Sequence, residues 1–178
     1  GRTLARAGQH ARALPALERA LAACDDADTW SIHALELGAT SLRALGRSAQ
    51  ALELVQSALA LAPKRADTRF LAALLALDVG LLPEAEAGFN ACLTLTPTTH
   101  AAESAASASS WAALYNLGVI YECSSRPSEA AAHYERALQA CPGHAPSLLG
   151  LERLTGAARR ASTHSPADAL TSRAPQRP

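Results

Sequence analysis

The chain has 178 residues, 49% of them hydrophobic, and this length suits one domain with a substantial core. Its 16 basic residues balance its 16 acidic residues, so no global positive field exists to recruit nucleic acid or an anionic membrane. An alanine-rich composition with only 4% aromatic residues favours closely packed helices and gives poor support for strands.

No transmembrane segment is predicted. The longest apolar run, residues 70–77, is far shorter than the roughly 20 residues that a membrane-spanning helix needs. Residues 1–7 contain no signal-peptide core, which favours the cytoplasm as the location. The chain starts partway through a repeat and without Met, so targeting information upstream of Gly1 remains an open alternative.

One helical unit recurs along the chain. Its landmark residues are repeated after 38, then 34, then 45 residues, and a proline (Pro63, Pro97, Pro142) follows each of the last three sets at the same distance. The four sets are Gly8, Ala13, Leu17 and Ala20; Gly46, Ala51, Val55 and Ala58; Gly80, Ala85, Phe89 and Cys92; and Ser125, Ala130, Tyr134 and Ala137. A unit of about 34 residues cannot bury its own apolar face, so it must stack on its neighbours.

The first unit, residues 1–27, contains only the end of a first helix and a whole second helix. Pro15 falls inside that second helix and predicts either a kink or a delayed start. Asp26 and Asp28 follow in a linker. Such an Asp-x-Asp pair holds a metal in nucleotide-sugar transferases, but no predicted strands surround this one, so we interpret it as a solvated acidic linker.

Residues 32–65, 66–99 and 111–144 are three complete units. Between the last two, residues 100–110 are almost all Ala and Ser, which predicts a flexible loop or a stray helical turn. In the clearest unit, 111–144, Pro127 suits the first turn of a second helix, and Pro142 with Gly143 ends that helix. Residues 147–161 form one further amphipathic helix that caps the stack, and 162–178 have the composition of a disordered tail.

The runs LYNLGVIY and EAAAHYERALQACP of residues 111–144 resemble the tetratricopeptide repeat. The matching residues are Leu117, Gly118, Tyr121, Ala130, Tyr134, Ala137 and Pro142. The resemblance covers residues 1–144 and implies an all-α, right-handed α-solenoid of stacked helix hairpins, with the whole solenoid at 1–161. It also implies a scaffold that binds a protein or peptide partner on its concave face, and the balanced charge predicts no binding of nucleic acid.

In that family the first helices line the concave face. We therefore predict that the first-helix residues that do not pack between hairpins form the binding surface. These residues are Glu36, Thr40, Arg43, Phe70, Leu74, Tyr115, Asn116 and Val119. The alternative for Phe70 and Leu74 is a purely structural place in the core. Only Arg43 and Asn116 suit an anion, which argues against a receptor for the carboxylate tails of chaperones.

No catalytic, cofactor or metal-binding motif is present. The six histidines and four cysteines lack metal-ligand spacing, and the chain has neither a Gly-x-Ser-x-Gly elbow nor a P-loop. We therefore predict a non-catalytic segment with no cofactor and no metal. Cys92 is interpreted as a small buried apolar residue, because Ala58 and Ala137 occupy its position in other units.

A second resemblance gives an alternative function. The passage RFLAALLALDVGLLPEAEAGF, followed by LYNLGVIYE and HAPSLLGLERL, is similar to the repeat region of some bacterial family 2 glycosyltransferases. It implies that this chain is the non-catalytic C-terminal region of such an enzyme. The catalytic domain would then lie upstream of Gly1.

Overall fold

The computed structural model describes residues 1–22, 29–94 and 100–163, which form helices joined by short turns and contain no strand. The helices pair into antiparallel hairpins, and the last one stands alone at the end of the stack. They are α1 (Arg2–Arg6), α2 (His10–Ala22), α3 (Thr29–Ala44), α4 (Ser48–Leu61), α5 (Ala66–Asp78), α6 (Leu82–Thr94), α7 (His100–Cys123), α8 (Pro127–Ala140) and α9 (Ala145–Thr163). The predicted solenoid of helix hairpins is confirmed.

The turn inside each hairpin explains the recurring glycine. Gly46 and Gly80 have φ values of 73° and 82°, in the left-handed region that glycine adopts without steric cost. Ser125 takes the same place in the fourth hairpin with φ 58°. A non-glycine residue in this conformation costs about 1 kcal/mol, so the fourth turn depends on the packing around it.

The pattern of helix contacts shows which side of the stack is concave. Each first helix touches the next first helix, in the pairs α1 with α3, α3 with α5, α5 with α7 and α7 with α9. Within the described residues, the second helices α2, α4, α6 and α8 do not contact one another. First helices therefore lie closer together than second helices, which places them on the inner, concave side.

The core lies between and within the hairpins. Each second helix has a fully buried alanine at the start of its buried face: Ala13, Ala51, Ala85 and Ala130. These small side chains let the paired helices approach closely. The largest buried cluster joins α5 to α8 around Phe89 and Tyr134. The buried clusters of the first two hairpins are smaller, so the larger core lies in the C-terminal half of the described residues.

Helix α9 docks against α7 and α8 through one aromatic ring. Tyr134 is fully buried, and a Cβ at either Gly118 or Gly150 would lie 2.5 Å from that ring. Two glycines on two helices therefore make room for one tyrosine. α9 covers the last hairpin, and its bounds extend the predicted cap, 147–161, at both ends.

Three expectations need correction, and two others concern residues outside those that the structure describes. Residues 100–110 belong to α7, so the loop interpretation is wrong: alanine has the highest helix propensity and no breaker separates this run from Trp111. α2 starts at His10 with Pro15 inside it, so its start is not delayed. Residues 162 and 163 belong to α9 and not to the predicted tail. The Asp26 and Asp28 pair and residues 164–178 lie outside the described residues.

Candidate peptide-binding surface

Glu36, on the concave side of α3, links two hairpins. Its carboxylate accepts a hydrogen bond from the Thr68 hydroxyl, and Arg65 Nε lies 2.9 Å from its Oε1. Arg65 donates a hydrogen bond from its Nη2 to Glu36 Oε2, at 3.3 Å. His33 Nδ1 is also 3.3 Å from Oε2. Glu36 is therefore committed to contacts within the protein, while Thr40, one turn further, is exposed and donates only to the Glu36 carbonyl.

Arg43 is already neutralised. Its guanidinium forms a bidentate ion pair with Asp78 at the end of α5, and Ser48 donates a further hydrogen bond to the same carboxylate at 3.3 Å. The hydrogen bond to Asp78 raises the pKa of Arg43, and this effect outweighs the lowering by burial. Arg43 therefore links α3 to α5 and has little charge left to offer an anionic ligand.

The apolar part of the predicted surface is half-buried. Phe70 and Leu74 pack against the largest core cluster, and the Phe70 ring meets Phe89 edge-on with 5.5 Å between the centroids. On α7, Val119 packs against the same cluster. Each of these side chains packs against the core on one side and is exposed on the other. A place in the core and a place on the binding surface are therefore compatible for Phe70.

Tyr115 and Asn116 contribute in different ways. The Tyr115 ring contacts two other rings: it is tilted against Tyr134, with 5.9 Å between the centroids, and meets His144 edge-on, with 4.9 Å between the centroids. Asn116 Nδ2 donates a 2.8 Å hydrogen bond to the carbonyl of Ala112, one turn earlier on the same helix. The amide oxygen of Asn116 has no partner among the described residues and can accept a hydrogen bond from a peptide backbone.

An open groove of about 600 Å³ lies between α1, α2 and α3. It brings together Glu36 and Thr40 but none of the predicted residues on α5 and α7. Trp30 belongs to the lining of this groove and is 64% exposed. Sequence reasoning missed this groove. The available signal was a tryptophan at the start of α3, next to the incomplete first hairpin.

Neither a cluster of metal ligands nor a membrane-spanning helix is found in the described residues. No group of three or more His, Cys, Asp or Glu could hold a metal ion in this part of the chain. No helix in it is long and apolar enough to cross a membrane.

The tetratricopeptide repeat family matches the chain twice, at residues 37–98 and at residues 111–144. Together the two matches cover more than half of the sequence. The chain belongs to the tetratricopeptide repeat family. No curated protein matches it, so the similarity to a glycosyltransferase repeat region stays a prediction.

Solved tetratricopeptide structures share the fold. YrrB, a tetratricopeptide protein described as having an unusual peptide-binding site, superposes with a TM-score of 0.70 at 23% identity, covering 85% of this chain and 71% of YrrB. MamA gives 0.69 at 14% identity, covering 99% of this chain and 94% of MamA. The first repeat domain of Spaghetti (RPAP3), solved with the HSP90 peptide SRMEEVD, gives 0.62 at 16% identity, covering 76% and 99%. At these identities the likeness concerns the fold alone.

Proposed function

We propose that this protein is a scaffold whose concave face, formed by the first helices, binds a peptide or an extended segment of a partner protein. The observation that carries the proposal is the open groove of about 600 Å³ between α1, α2 and α3, whose lining includes the concave-side residues Glu36 and Thr40 and the exposed Trp30. A large exposed aromatic side chain beside a concave surface is a common anchor for a partner. Peptide binding in YrrB and in Spaghetti supports this use of the fold.

The other proposed contacts extend from the groove along the concave side. Thr40 is exposed on α3, and the half-buried Phe70, Leu74, Tyr115 and Val119 supply apolar surface on α5 and α7. Asn116 offers its amide oxygen to a backbone N–H. Glu36 and Arg43 contribute through the hairpin contacts that hold this surface in shape, because both are engaged with residues of the next hairpin.

The experiment selects peptides from a displayed library against the full chain and measures their affinity for matched variants. Thr40 and Ser57 are exposed hydroxyl residues on α3 and α4, and each donates to the carbonyl four residues earlier. Thr40→Arg should obstruct the concave face and weaken binding by about 1 to 3 kcal/mol, as should Tyr115→Ala. Ser57→Arg, on a second helix, should leave the affinity unchanged. Unchanged binding to folded Thr40→Arg and Tyr115→Ala would refute the proposal.

A further inference from the structure

A cleft opens on the convex side of the stack between α4 and α6, two helices that do not contact each other. Its volume is about 380 Å³, which lies within the range of ligand-binding sites, and α5 forms its floor. Leu81 is 41% exposed, so part of its apolar wall faces solvent. We call this place the convex cleft, and its lining includes Leu52 and Leu59 of α4, Ala73 and Ala76 of α5, Leu81, and Gly88 of α6.

The corresponding place between α6 and α8 is filled by Tyr121. This residue lies 45 residues after Ala76, at the same position of the next repeat, and is 7% exposed. Its hydroxyl donates a 2.8 Å hydrogen bond to Glu86, its ring centroid lies 4.9 Å from that of His133, and the Arg126 guanidinium lies 4.3 Å from the same centroid. One aromatic side chain therefore occupies in the last hairpin the place that stays open beside Ala76.

Three polar neighbours of Tyr121 have apolar or smaller counterparts around the convex cleft. The repeat spacing pairs Leu52 with Glu86, Leu81 with Arg126 and Gly88 with His133. The open place is therefore wider and less polar than the surroundings of Tyr121. A ring without a hydroxyl suits it, because a leucine stands where the carboxylate that accepts the tyrosine hydrogen bond would be. Phenylalanine is the side chain that meets both conditions.

The two ends of the convex cleft carry opposite charges. Arg69 lies near the start of α5, and Glu84 lies in the first turn of α6, which runs antiparallel to α5. Helix geometry places these two residues about 10 Å apart along the helix axes. In an extended segment, residues two positions before and after a phenylalanine share its face and lie about 13 Å apart. An acidic and a basic residue at those two positions would therefore complement the ends of the cleft.

We propose that the convex cleft binds the phenylalanine side chain of an extended segment of a second partner protein, with an acidic residue on one side of the phenylalanine and a basic residue on the other. The ring takes the place beside Ala76 that Tyr121 takes in the next hairpin. The flanking carboxylate faces Arg69, and the flanking cation faces Glu84. This site lies opposite the proposed concave surface and goes beyond it, because the protein can then hold two partners at once.

The direct test titrates the ¹⁵N-labelled full chain with the end-blocked peptide Glu-Ala-Phe-Ala-Lys and with a twin that has Ala in place of Phe. The phenylalanine peptide should bind roughly tenfold more tightly than its twin. It should shift the backbone amides of Ala73 and Ala76 on the floor together with that of Gly88 on the wall, so its shifts are not confined to the second helices. Equal affinity of the two peptides would overturn the proposal.

A pair of leucine substitutions tests the location. Leu81 and Leu45 are both 41% exposed and both lie next to the glycine of a hairpin turn, but only Leu81 lines the cleft. Leu81→Gln places a polar amide on the apolar wall and should weaken binding of the phenylalanine peptide roughly fivefold. Leu45→Gln is the matched control and should bind as the parent does. Equal binding to both variants, each folded by circular dichroism, would overturn the location.

Ala76→Phe should fill the convex cleft from within. A ring at this position points as Tyr121 does in the next hairpin, so the variant should melt no lower than the parent and should not bind the peptide. Ala73→Phe is the control, because Ala73 is 2% exposed and its Cβ would lie 2.8 Å from a Cβ added at Gly88. It should melt at a lower temperature because it overpacks the hairpin. Equal loss of melting temperature in both variants would show that the cleft has no room for a ring and would overturn the proposal.

The remaining outcomes separate this site from the concave surface. Unchanged peptide binding in Thr40→Arg together with its loss in Ala76→Phe supports the convex cleft and leaves the proposed function to its own test. Loss of the peptide in Thr40→Arg but not in Ala76→Phe would overturn the convex cleft and support the proposed function. A dimer in sedimentation of the parent that Ala76→Phe dissociates would show that a second copy fills the cleft and would also overturn the proposal.

Discussion

The hydroxyl of Tyr134 donates a 2.7 Å hydrogen bond to the carboxylate of Glu122, joining α8 to α7. Arg153 on α9 donates to both oxygens of the same carboxylate, at 3.0 and 2.9 Å. These Arg153 bonds are the main reason that the pKa of Glu122 lies below its usual value, and burial raises the pKa of Tyr134. One carboxylate thus ties three helices together at the C-terminal end of the stack.

Substitution at Gly118 should destabilise the last hairpin. A Cβ there would lie 2.5 Å from the Tyr134 ring, which is fully buried and is closely approached by Gly150 as well. We expect Gly118→Leu to lower the free energy of unfolding by about 1 to 3 kcal/mol, measured by urea titration. Gly143→Ala is the control, because nothing lies within 4 Å of its added Cβ. A Gly118→Leu protein as stable as the parent would contradict this packing.

Removal of α9 should expose the hairpin that it covers. Deleting residues 145–178 removes Gly150 from the Tyr134 ring and Arg153 from Glu122, so the melting temperature should fall. Deleting only 164–178 keeps all of α9 and should leave the melting temperature unchanged. Equal melting of the parent and both shortened proteins would show that α9 is not a cap.

The stability of the protein should decrease in mild acid because of His144. Burial, where its ring meets Trp111 and Tyr115, lowers the pKa of His144 from its usual 6.5. The unfolded chain then binds the proton more readily than the folded one. The stability that neutral His144 contributes is therefore complete above pH 6.5. It is lost as the pH falls through the lowered pKa of His144 in the folded protein.

The measurement for His144 is the free energy of urea unfolding at about pH 7.5 and about pH 5.5. His144→Gln keeps a side chain that can bond Ser147 but has no titrating group. This variant should lose less stability on acidification than the parent. An identical loss in both proteins would assign the pH dependence to other groups.

The cysteines should differ sharply in reactivity. Burial raises the pKa of the Cys92 thiol to about 11, whereas Cys123 is exposed. At about pH 8 only about one Cys92 thiol in a thousand is then ionised, and the thiolate is the reactive form. N-ethylmaleimide followed by mass spectrometry should label Cys123 quickly and Cys92 only after unfolding in urea. Labelling of both at the same rate in the native protein would contradict the burial of Cys92.

Much of the fold could be predicted from the sequence because each hairpin depends on local signals. The turn positions are marked by Gly46 and Gly80, and the repeat pattern places Gly118 and Tyr134 on facing sides of one hairpin. Residue spacing within a helix was therefore enough to identify both faces. It also predicted that Cys92 is buried, as the structure confirms.

The polar contacts between hairpins could not be predicted in the same way. Glu36 lies on the concave side as expected, but no sequence pattern predicted that it also meets Thr68 and Arg65, which lie about 30 residues away in the sequence. Such contacts depend on how far successive hairpins rotate, which no single-helix pattern reports. The exposure of Ala20 could not be predicted either, because Ala58 and Ala137, at the same repeat position, are buried and burial depends on what packs against the residue and not on its position in the repeat.

The measurement that tests concave-face binding most directly is a map of backbone amide shifts in the ¹⁵N-labelled full chain on titration with a library-selected peptide. We predict that the shifts lie on α3, α5 and α7, around Thr40, Leu74 and Val119, and that α4, α6 and α8 stay unchanged apart from their turns. Saturable shifts confined to α4, α6 and α8, with the first helices unaffected, would place the binding surface on the convex side and contradict the account.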